Sequence, residues 1–533
     1  MNGVSRRGLL AGGVAMAGAV GLAAPARAAQ RCLDRQGFGT IAVKPGDPRY
    51  PMLSRSTLGY VGTPQVVRLA DSAADVTAAV RDALAAGQRI AVRSGGHCFE
   101  RFTTSPDIRM LLDISEMNNV YYDAEHKAVA VETGAQLGQV YRTLYKAFDA
   151  TLPGGSCPSV GIGGHGIGGG YGPESRLYGS IVDYIYGVEV VVVTASGEVR
   201  TVTATREPDD PNRDLWWAHT GGGGGNFGVV TRLLFRGTGR DLLPPAAPQY
   251  LSRVANWSPG QLNERAFVAL LTNFATWLEE HSRPGSPETN LCPVLTVTGA
   301  SDLPGQAQPH LGVSLATIAV HPDRPGARKL LDQIMAAMTA GGVPKPVVKD
   351  EPLGLRDRTA DFGSVDLPST AGFKTKAAYH RRGFTAEQLR VAYEHLDTVH
   401  KDFTSSWVLH AYGGQTNAVA PHATATAQRD AVFKAIFNSG WVGDADAHLE
   451  LARRWYRRTY ADTGGVPVPN AQTDGSYINY PDGDLADPRQ NTSGVPWNTL
   501  YYKDNYPRLS RVKAKWDPRD VFRHPLSIRP GRW

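Results

Sequence analysis

Between Gly154 and Gly172 ten of nineteen residues are glycine, and a cysteine and a histidine lie inside the run: Gly154-Gly155-Ser156-Cys157-Pro158-Ser159-Val160-Gly161-Ile162-Gly163-Gly164-His165-Gly166-Ile167-Gly168-Gly169-Gly170-Tyr171-Gly172. No packed element needs that density. Glycine lets backbone N–H groups approach an anion closely and adopt positive φ, so such a run suits a phosphate or a flat ring system. A second run, Gly221 to Gly225, leads through Asn226-Phe227 into Gly228-Val229-Val230. Bulky apolar residues on both sides, Trp216 and Trp217 before and Phe227 after, argue against a flexible linker. A third piece, Arg93-Ser94-Gly95-Gly96-His97, closes an apolar strand with two glycines and an imidazole.

Several sites are excluded by what surrounds these residues. Gly161-x-Gly163-x-x-Gly166 matches the dinucleotide fingerprint, but that fingerprint needs a strand directly before it, and Pro153 to Pro158 cannot be a central strand. Neither glycine run ends in Gly-Lys-Ser/Thr, so neither is a Walker loop. Cys32, Cys98, Cys157 and Cys292 form no C-x-x-C pair and no zinc spacing, and no metal site is expected. In an oxidising compartment they could form two disulfides, Cys32 with Cys98 being plausible chemistry. A cysteine hydrolase on Cys157 lacks the helix N-terminus that would acidify the thiol.

The elements that must hold these residues alternate between helix and strand. Asp71 or Ser72 caps a helix through Val76, Val80 and Leu84, Gly87 ends it, and Arg89 to Arg93 reads as a strand. Strand, helix and buried strand follow at Ala128–Glu132, Gln136–Phe148 and Gly187–Thr194. A new segment begins after Leu242-Leu243-Pro244-Pro245. It has an amphipathic stretch at Phe267–Leu278, strands at Cys292–Thr298, Gly312–Val320 and Ser405–Tyr412, and helices at Arg328–Ala337 and Ala386–Val399. That pattern predicts an antiparallel sheet backed by helices, with one face left to cover a ligand. Thr463 to Ser493, rich in Gly, Pro, Asn and Asp, reads as a long functional loop.

At 533 residues, 42% hydrophobic and 20% charged, the chain is long enough for two domains and has ordinary globular composition. Ser5-Arg6-Arg7 followed by an uncharged Gly/Ala-rich run and Ala26-Arg27-Ala28 reads as a twin-arginine export signal over residues 1–28, an ordinary signal peptide being the alternative. Its removal takes the net charge from +6 to +3, and no basic patch interleaved with aromatics points to nucleic acid. No later stretch approaches the ~20 apolar residues of a membrane span, so no membrane anchoring is expected after cleavage.

Arg93 to His97, the Gly155-Ser156-Cys157 run, Trp217 to Val230, and the C-terminal Tyr501-Tyr502-Lys503-Asp504-Asn505-Tyr506-Pro507-Arg508-Leu509 together resemble the berberine-bridge-enzyme-like FAD-linked oxidases of the vanillyl-alcohol oxidase superfamily. The resemblance implies an α+β fold. A two-part PCMH-type FAD-binding domain spans 29–240, a substrate domain with an antiparallel sheet backed by helices spans 241–490, and a closing segment, 491–533, returns to the FAD domain. It implies FAD held by two covalent bonds, through His97 to the 8α carbon and Cys157 to ring carbon 6. An imidazole and a thiolate are side chains able to add to such an electron-poor ring. Arg93, Ser94, Gly95, Gly96, Gly154, Gly161, Gly163, Gly164 and Gly168 would wrap the pyrophosphate and ring, Gly228 and Val229 the adenosine side, and Asn505 would lie near the flavin.

Removing hydride from an alcohol requires a base for the hydroxyl proton. The resemblance assigns it to Tyr477 in Ser476-Tyr477-Ile478-Asn479-Tyr480-Pro481-Asp482, with Tyr480 as rival; in a strand the two would face opposite sides. A phenol is a weak base at neutral pH, so a second tyrosine is expected beside it: Tyr412, with Tyr379 behind. The expected reaction oxidises a hydroxyl of a sugar or natural product to a carbonyl and reduces dioxygen to hydrogen peroxide. Flavin-dependent ring closure or desaturation is the alternative, and an exported phosphate- or sugar-binding protein is the non-enzyme reading.

Overall fold

The first residues with assigned structure build a small sheet. Strands β1 (Ile41–Val43), β2 (Val66–Leu69), β3 (Ile90–Arg93) and β4 (Met110–Asp113) lie in the order β1-β2-β4-β3, with β2, β4 and β3 parallel. Helix α1 (Ala73–Ala85) buries Val76, Ala79, Val80 and Ala83 against it, and its cap is Ser72, whose hydroxyl accepts from the Asp75 N–H at 3.2 Å. A second sheet, β5 (Val120–Asp123), β6 (Ala128–Glu132), β7 (Ile185–Val193), β8 (Val199–Thr205) and β9 (Val229–Phe235), is antiparallel in the order β5-β6-β9-β7-β8. Helix α2 (Leu137–Phe148) and the short α3 (Ile162–Ile167) pack on it.

The third sheet is antiparallel with seven strands: β10 (Gln249–Trp257), β11 (Leu291–Thr298), β12 (Gly312–Ala319), β13 (Val347–Gly354), β14 (Gly372–His380), β15 (Phe403–Ala411) and β16 (Phe433–Trp441), ordered β13-β10-β12-β11-β15-β16-β14. Helices α4 (Glu264–Glu280), α5 (Ala327–Met338), α6 (Ala386–Leu396) and α7 (Ala445–Thr459) share a core with one face of it, through Leu295, Leu315, Trp407, Leu409 and Phe437. The mixed α/β architecture is the expected one. Four of the seven strands, β10, β13, β14 and β16, were not expected from the sequence, nor was α7.

The last described helix, α8 (Tyr506–Trp516), crosses back to the second sheet's loops, where Lys513 Nζ donates to the Asn226 carbonyl at 2.6 Å; just before the helix, Tyr502 Oη donates to that of Gly222 at 2.9 Å.

This computed structural model describes residues 39–237, 243–354 and 372–531. Residues 1–28, expected to be an export leader, and Cys32 lie outside the described residues. No disulfide joins Cys98, Cys157 and Cys292 to one another, and no helix among the described residues is long and apolar enough to cross a membrane.

Candidate active site

The two nucleophilic side chains singled out by type meet at one hydroxyl. His97 Nε2 lies 3.0 Å from Ser159 Oγ, and Cys157 Sγ lies 3.5 Å from the same oxygen. Backbone crowding brings their loops together. A Cβ on Gly95 would overlap the Gly161 amide nitrogen, and one on Gly161 would overlap Ser94 Oγ, so only glycine lets the strand end at Arg93 and the start of α3 touch. Ser94 Oγ then donates to the Thr133 carbonyl at 2.5 Å, which pins that contact to the second sheet. Gly163 and Gly154 are equally crowded, by Thr133 and by the Tyr141 hydroxyl, and Gly168 by the Asn479 amide. Gly164 differs: it is exposed and nothing lies within 4 Å of a Cβ built there. Gly96 has a φ of +74°, a left-handed turn that lets the backbone reverse just before His97.

The Cys157 loop is held from behind by His165. Burial pushes that imidazole down to about 4, so it is neutral at pH 7, and its Nε2 accepts from the Gly155 N–H at 2.9 Å. Arg93 does not turn toward the loops as expected. It is buried in an ion pair with Asp113 and donates to the Arg55 carbonyl at 2.9 Å, so it anchors the strand end rather than facing a ligand. Gly228 presses on the Val191 carbonyl and Val190, the close approach being to β7, and Val229 pairs with Val191. Asn505 donates to the carbonyls of Pro421, Thr424 and Ala425 at 2.8, 3.2 and 3.3 Å. It fixes a segment whose Thr426 packs on Gly221 and hydrogen-bonds Thr220, and so reaches the second glycine run through an intermediary.

A cage of tyrosines lies beside these loops. Tyr171, Tyr379, Tyr412 and Tyr477 form one buried cluster with Tyr480 packed against it. Tyr477 and Tyr480 do not face opposite ways: a turn in which the Tyr480 N–H donates to the Tyr477 carbonyl at 2.9 Å puts their rings 5.1 Å apart on one side. Tyr477 Oη donates to the Gly169 carbonyl at 3.1 Å and accepts from Asn479 Nδ2 at 2.9 Å. Tyr412 sits 5.4 Å from Tyr379 and 6.0 Å from Tyr171, ring to ring, and its hydroxyl reaches the Gln428 carbonyl at 3.4 Å.

At the centre of the cage is Lys434 of β16. Its Nζ stands 3.2 Å from the Tyr171 ring centre, 3.8 Å from Tyr477 and 4.5 Å from both Tyr379 and Tyr412. The residue is 1% exposed, and its Nζ has no hydrogen-bond partner among the described residues. Burial drives this amine well below the ordinary lysine range and raises the phenols of Tyr171, Tyr379 and Tyr477 well above theirs. Neither Lys434 nor Tyr171 was found by sequence reasoning. The available signal for Lys434 was a lone cation inside the apolar run Phe433-Lys434-Ala435-Ile436-Phe437.

Behind the cage, Asp474 is fully buried, bonded to Lys503 Nζ at 2.8 Å and Arg381 Nη2 at 2.5 Å. Burial, then a hydrogen bond that the protonated carboxyl donates to Asp430, pushes it up to about 7. The native protein therefore keeps a proton that the unfolded chain releases near pH 4, so this group's contribution to stability falls as pH rises from about 4 to 7 and is flat above. Asp474→Asn should flatten the melting temperature over that window. An unchanged slope would show that Asp474 is ionised throughout.

The chemistry of the donor set fits FAD. Ring carbon 6 and the 8α carbon both belong to the benzenoid end of the isoalloxazine, so side chains able to bond both would have to stand close together, as His97 and Cys157 do around Ser159. Gly164 leaves backbone open to a phosphate or ring. Fold and site together define an FAD-linked oxidase.

The family comparisons agree. An FAD binding domain model matches residues 64–203 and a "berberine and berberine like" model matches residues 476–529. The chain is 45% identical to aclacinomycin-N/aclacinomycin-A oxidase of Streptomyces galilaeus, over 99% of both chains. It is 30% identical to hexose oxidase of Chondrus crispus, over 82% of this chain and 85% of that one. A glycopeptide hexose oxidase solved in complex with teicoplanin superposes with a TM-score of 0.85 at 43% identity, covering 92% of this chain and 99% of that one. The chain belongs to the berberine-bridge-enzyme-like family of FAD-linked oxidases.

Proposed function

We propose that this protein carries FAD bonded to both His97 and Cys157 and oxidises a hydroxyl of a small natural product or sugar to a carbonyl, with dioxygen reduced to hydrogen peroxide. The substrates in the relatives' names, an aclacinomycin and hexoses, support that class. The observation that carries the reading is the single Ser159 hydroxyl within reach of both nucleophiles. Residues 29–240 are the cofactor part, 241–490 the substrate part and 491–533 the returning segment, exported behind the leader at 1–28.

FAD, held by His97 and Cys157, would supply the two-electron acceptor for this oxidation and the route to dioxygen. The protein's own residues manage the proton. Tyr477 is the base that takes the substrate hydroxyl proton, its oxygen held by Asn479 Nδ2 at 2.9 Å. Tyr171 shares the face of Lys434 most closely, and Tyr412 and Tyr379 complete the wall that excludes water. A phenolate with an ammonium carries no net charge, so the burial that penalises each ion separately is relieved when the two form together.

The test is a denaturing gel and mass spectrum of the wild type, His97→Ala, Cys157→Ala and the double variant. Each single variant should keep the added FAD mass and only the double should lose it. A wild type with no covalent flavin would overturn the reading.

A further inference from the structure

The loop that carries His97 cannot fix its own shape. Residues 94–100 belong to no helix or strand, and Gly95 and Gly96, just before the imidazole, have no side chains to pack. Its two ends are held by different parts of the molecule. On the near side Ser94 Oγ donates to the Thr133 carbonyl at 2.5 Å, just past β6 of the second sheet. On the far side, three residues beyond His97, Glu100 Oε1 accepts from Lys374 Nζ of β14 at 2.6 Å and from the Gly483 N–H at 3.0 Å. Gly483 lies six residues past Tyr477. Phe99 repeats the connection, its ring 5.0 Å from that of Tyr480 and 5.8 Å from that of Phe373. Tyr60 Oη reaches the carbonyls of Phe99 and Phe373 at 3.3 and 3.2 Å.

The carboxylate of Glu100 is one member of a cluster. Lys374 also meets Asp482 at 2.8 Å, Lys376 lies 2.6 Å from Asp482 and 2.7 Å from Asp484, and Arg453 of α7 closes on Asp484 at 2.7 Å. Both lysines and both aspartates are at most 8% exposed. Three cations meet three carboxylates, so the cluster carries no net charge. β14 lies at the edge of its sheet, and Glu100 and Gly483 approach it from outside. Apolar side chains filling the same volume would serve stability as well or better. What the ions add is direction: charge-assisted hydrogen bonds fix where two segments 383 positions apart in sequence must meet.

We infer that Glu100 is a positioning residue: through Lys374 and Gly483 it sets the His97 loop at a fixed place relative to the loop that carries Tyr477. His97 then stands where it can bond the 8α carbon, and the ring so held lies at a constant distance from the base. Chemistry at such a site tolerates errors of only about 0.5 Å, and neither loop can meet that limit alone. The inference rests on the proposed two-bond attachment. Bonding an imidazole nitrogen of His97 to the 8α carbon replaces one C–H and one N–H bond by a C–N bond. The two protons and the electron pair released go to dioxygen, the oxidant of the proposed reaction, as hydrogen peroxide.

The experiment uses two single-tether proteins, Cys157→Ala, in which His97 alone can bond, and His97→Ala, in which Cys157 alone can, each with Glu100 intact, Glu100→Ala or Glu100→Gln. FAD is added to the purified protein, and the attached mass is followed with time on denaturing mass spectra. In the Cys157→Ala protein, Glu100→Ala should slow attachment by about tenfold, the worth of one hydrogen bond to a charged group. Glu100→Gln, which keeps an oxygen for Lys374 and Gly483, should restore most of the rate. In the His97→Ala protein neither substitution should matter, whereas a general loosening of the fold would slow both tethers. The positioning role is overturned if Glu100→Ala leaves attachment at His97 unchanged, if it slows both tethers alike, or if Glu100→Gln is as slow as Glu100→Ala. No attachment in the Cys157→Ala parent would overturn the two-bond reading and this inference together. No attachment in the His97→Ala parent would overturn the two-bond reading alone, with the melting temperature then serving as the control for loosening.

Discussion

Lys434→Met should slow flavin reduction by an alcohol substrate by about 10²- to 10⁴-fold, the range of general-base assistance, while the protein melts at the same or a higher temperature. The two signs belong together. Lys434 is 1% exposed with no hydrogen-bond partner among the described residues, and no carboxylate is paired with it. Its only compensation is the faces of four tyrosine rings, each worth about 0.5–2 kcal/mol to a cation. Replacing a buried amine that lacks a hydrogen-bond partner by an apolar side chain of similar size is commonly neutral or stabilising. A fold under selection for stability alone has no use for an amine there. The amine's use is to make phenolate formation in the cage electrically affordable. Activity should therefore rise with pH as the base loses its proton, and in Lys434→Met that limb should move to higher pH. A variant that reduces its flavin at the wild-type rate, or keeps the wild-type pH profile, would remove Lys434 from the proton chemistry. Loss of stability with no kinetic change would make it a packing residue.

The nucleophile loops were legible in the sequence because glycine density is itself the signal, and because His97 and Cys157 stand inside it. The cage was not, and the reason is physical. Strand β16 is buried on both faces, one by the helices and one by the cage, so Phe433 to Trp441 shows no alternation that would mark it as a strand. Strand β14 reads in reverse: Lys374 and Lys376 point into the helix-covered side, where Asp482 and Asp484 pair with them, Lys376 Nζ at 2.6 and 2.7 Å from the two carboxylates. Two lysines turned inward make a buried strand look like an exposed one. Tyr477 and Tyr480 were separated by assuming an extended segment, whereas Pro481 and the turn before it curl both rings into the cage. Asn505, expected near the flavin from the family resemblance, reaches the second glycine run through residues 421–426, whose carbonyls its side chain holds.

Lys513→Met should destabilise the protein by about 3–5 kcal/mol, the range for removing one partner of a buried ion pair, and should loosen the second glycine run in particular. Lys513 is fully buried, and its ammonium donates to the carbonyls of Asn226 and Phe522, both at 2.6 Å, and to Asp517 at 2.5 Å. Asn226 in turn caps the glycines: its Nδ2 donates to the carbonyls of Gly222 and Gly223 at 2.9 and 3.1 Å, and its Oδ1 accepts from the Ile528 N–H at 2.9 Å. A run of five glycines has no side chains with which to order itself, so its shape is imposed from outside, by Asn226, by Tyr502 Oη and by the Lys513 ammonium that holds Asn226. Removing the ammonium leaves Asp517 without its cation and the Asn226 carbonyl without its donor. Denaturant unfolding should show the loss, and amide exchange should rise over residues 221–228 before it rises in β9. The added substitution Asp517→Leu should recover part of the stability, because the stranded carboxylate is then gone, but not the protection of the glycine run, whose donor remains missing. Recovery of both would mean that the ion pair alone mattered. Recovery of neither would place the cost in packing around α8 and remove the C-terminal segment from the ordering of the glycine loop.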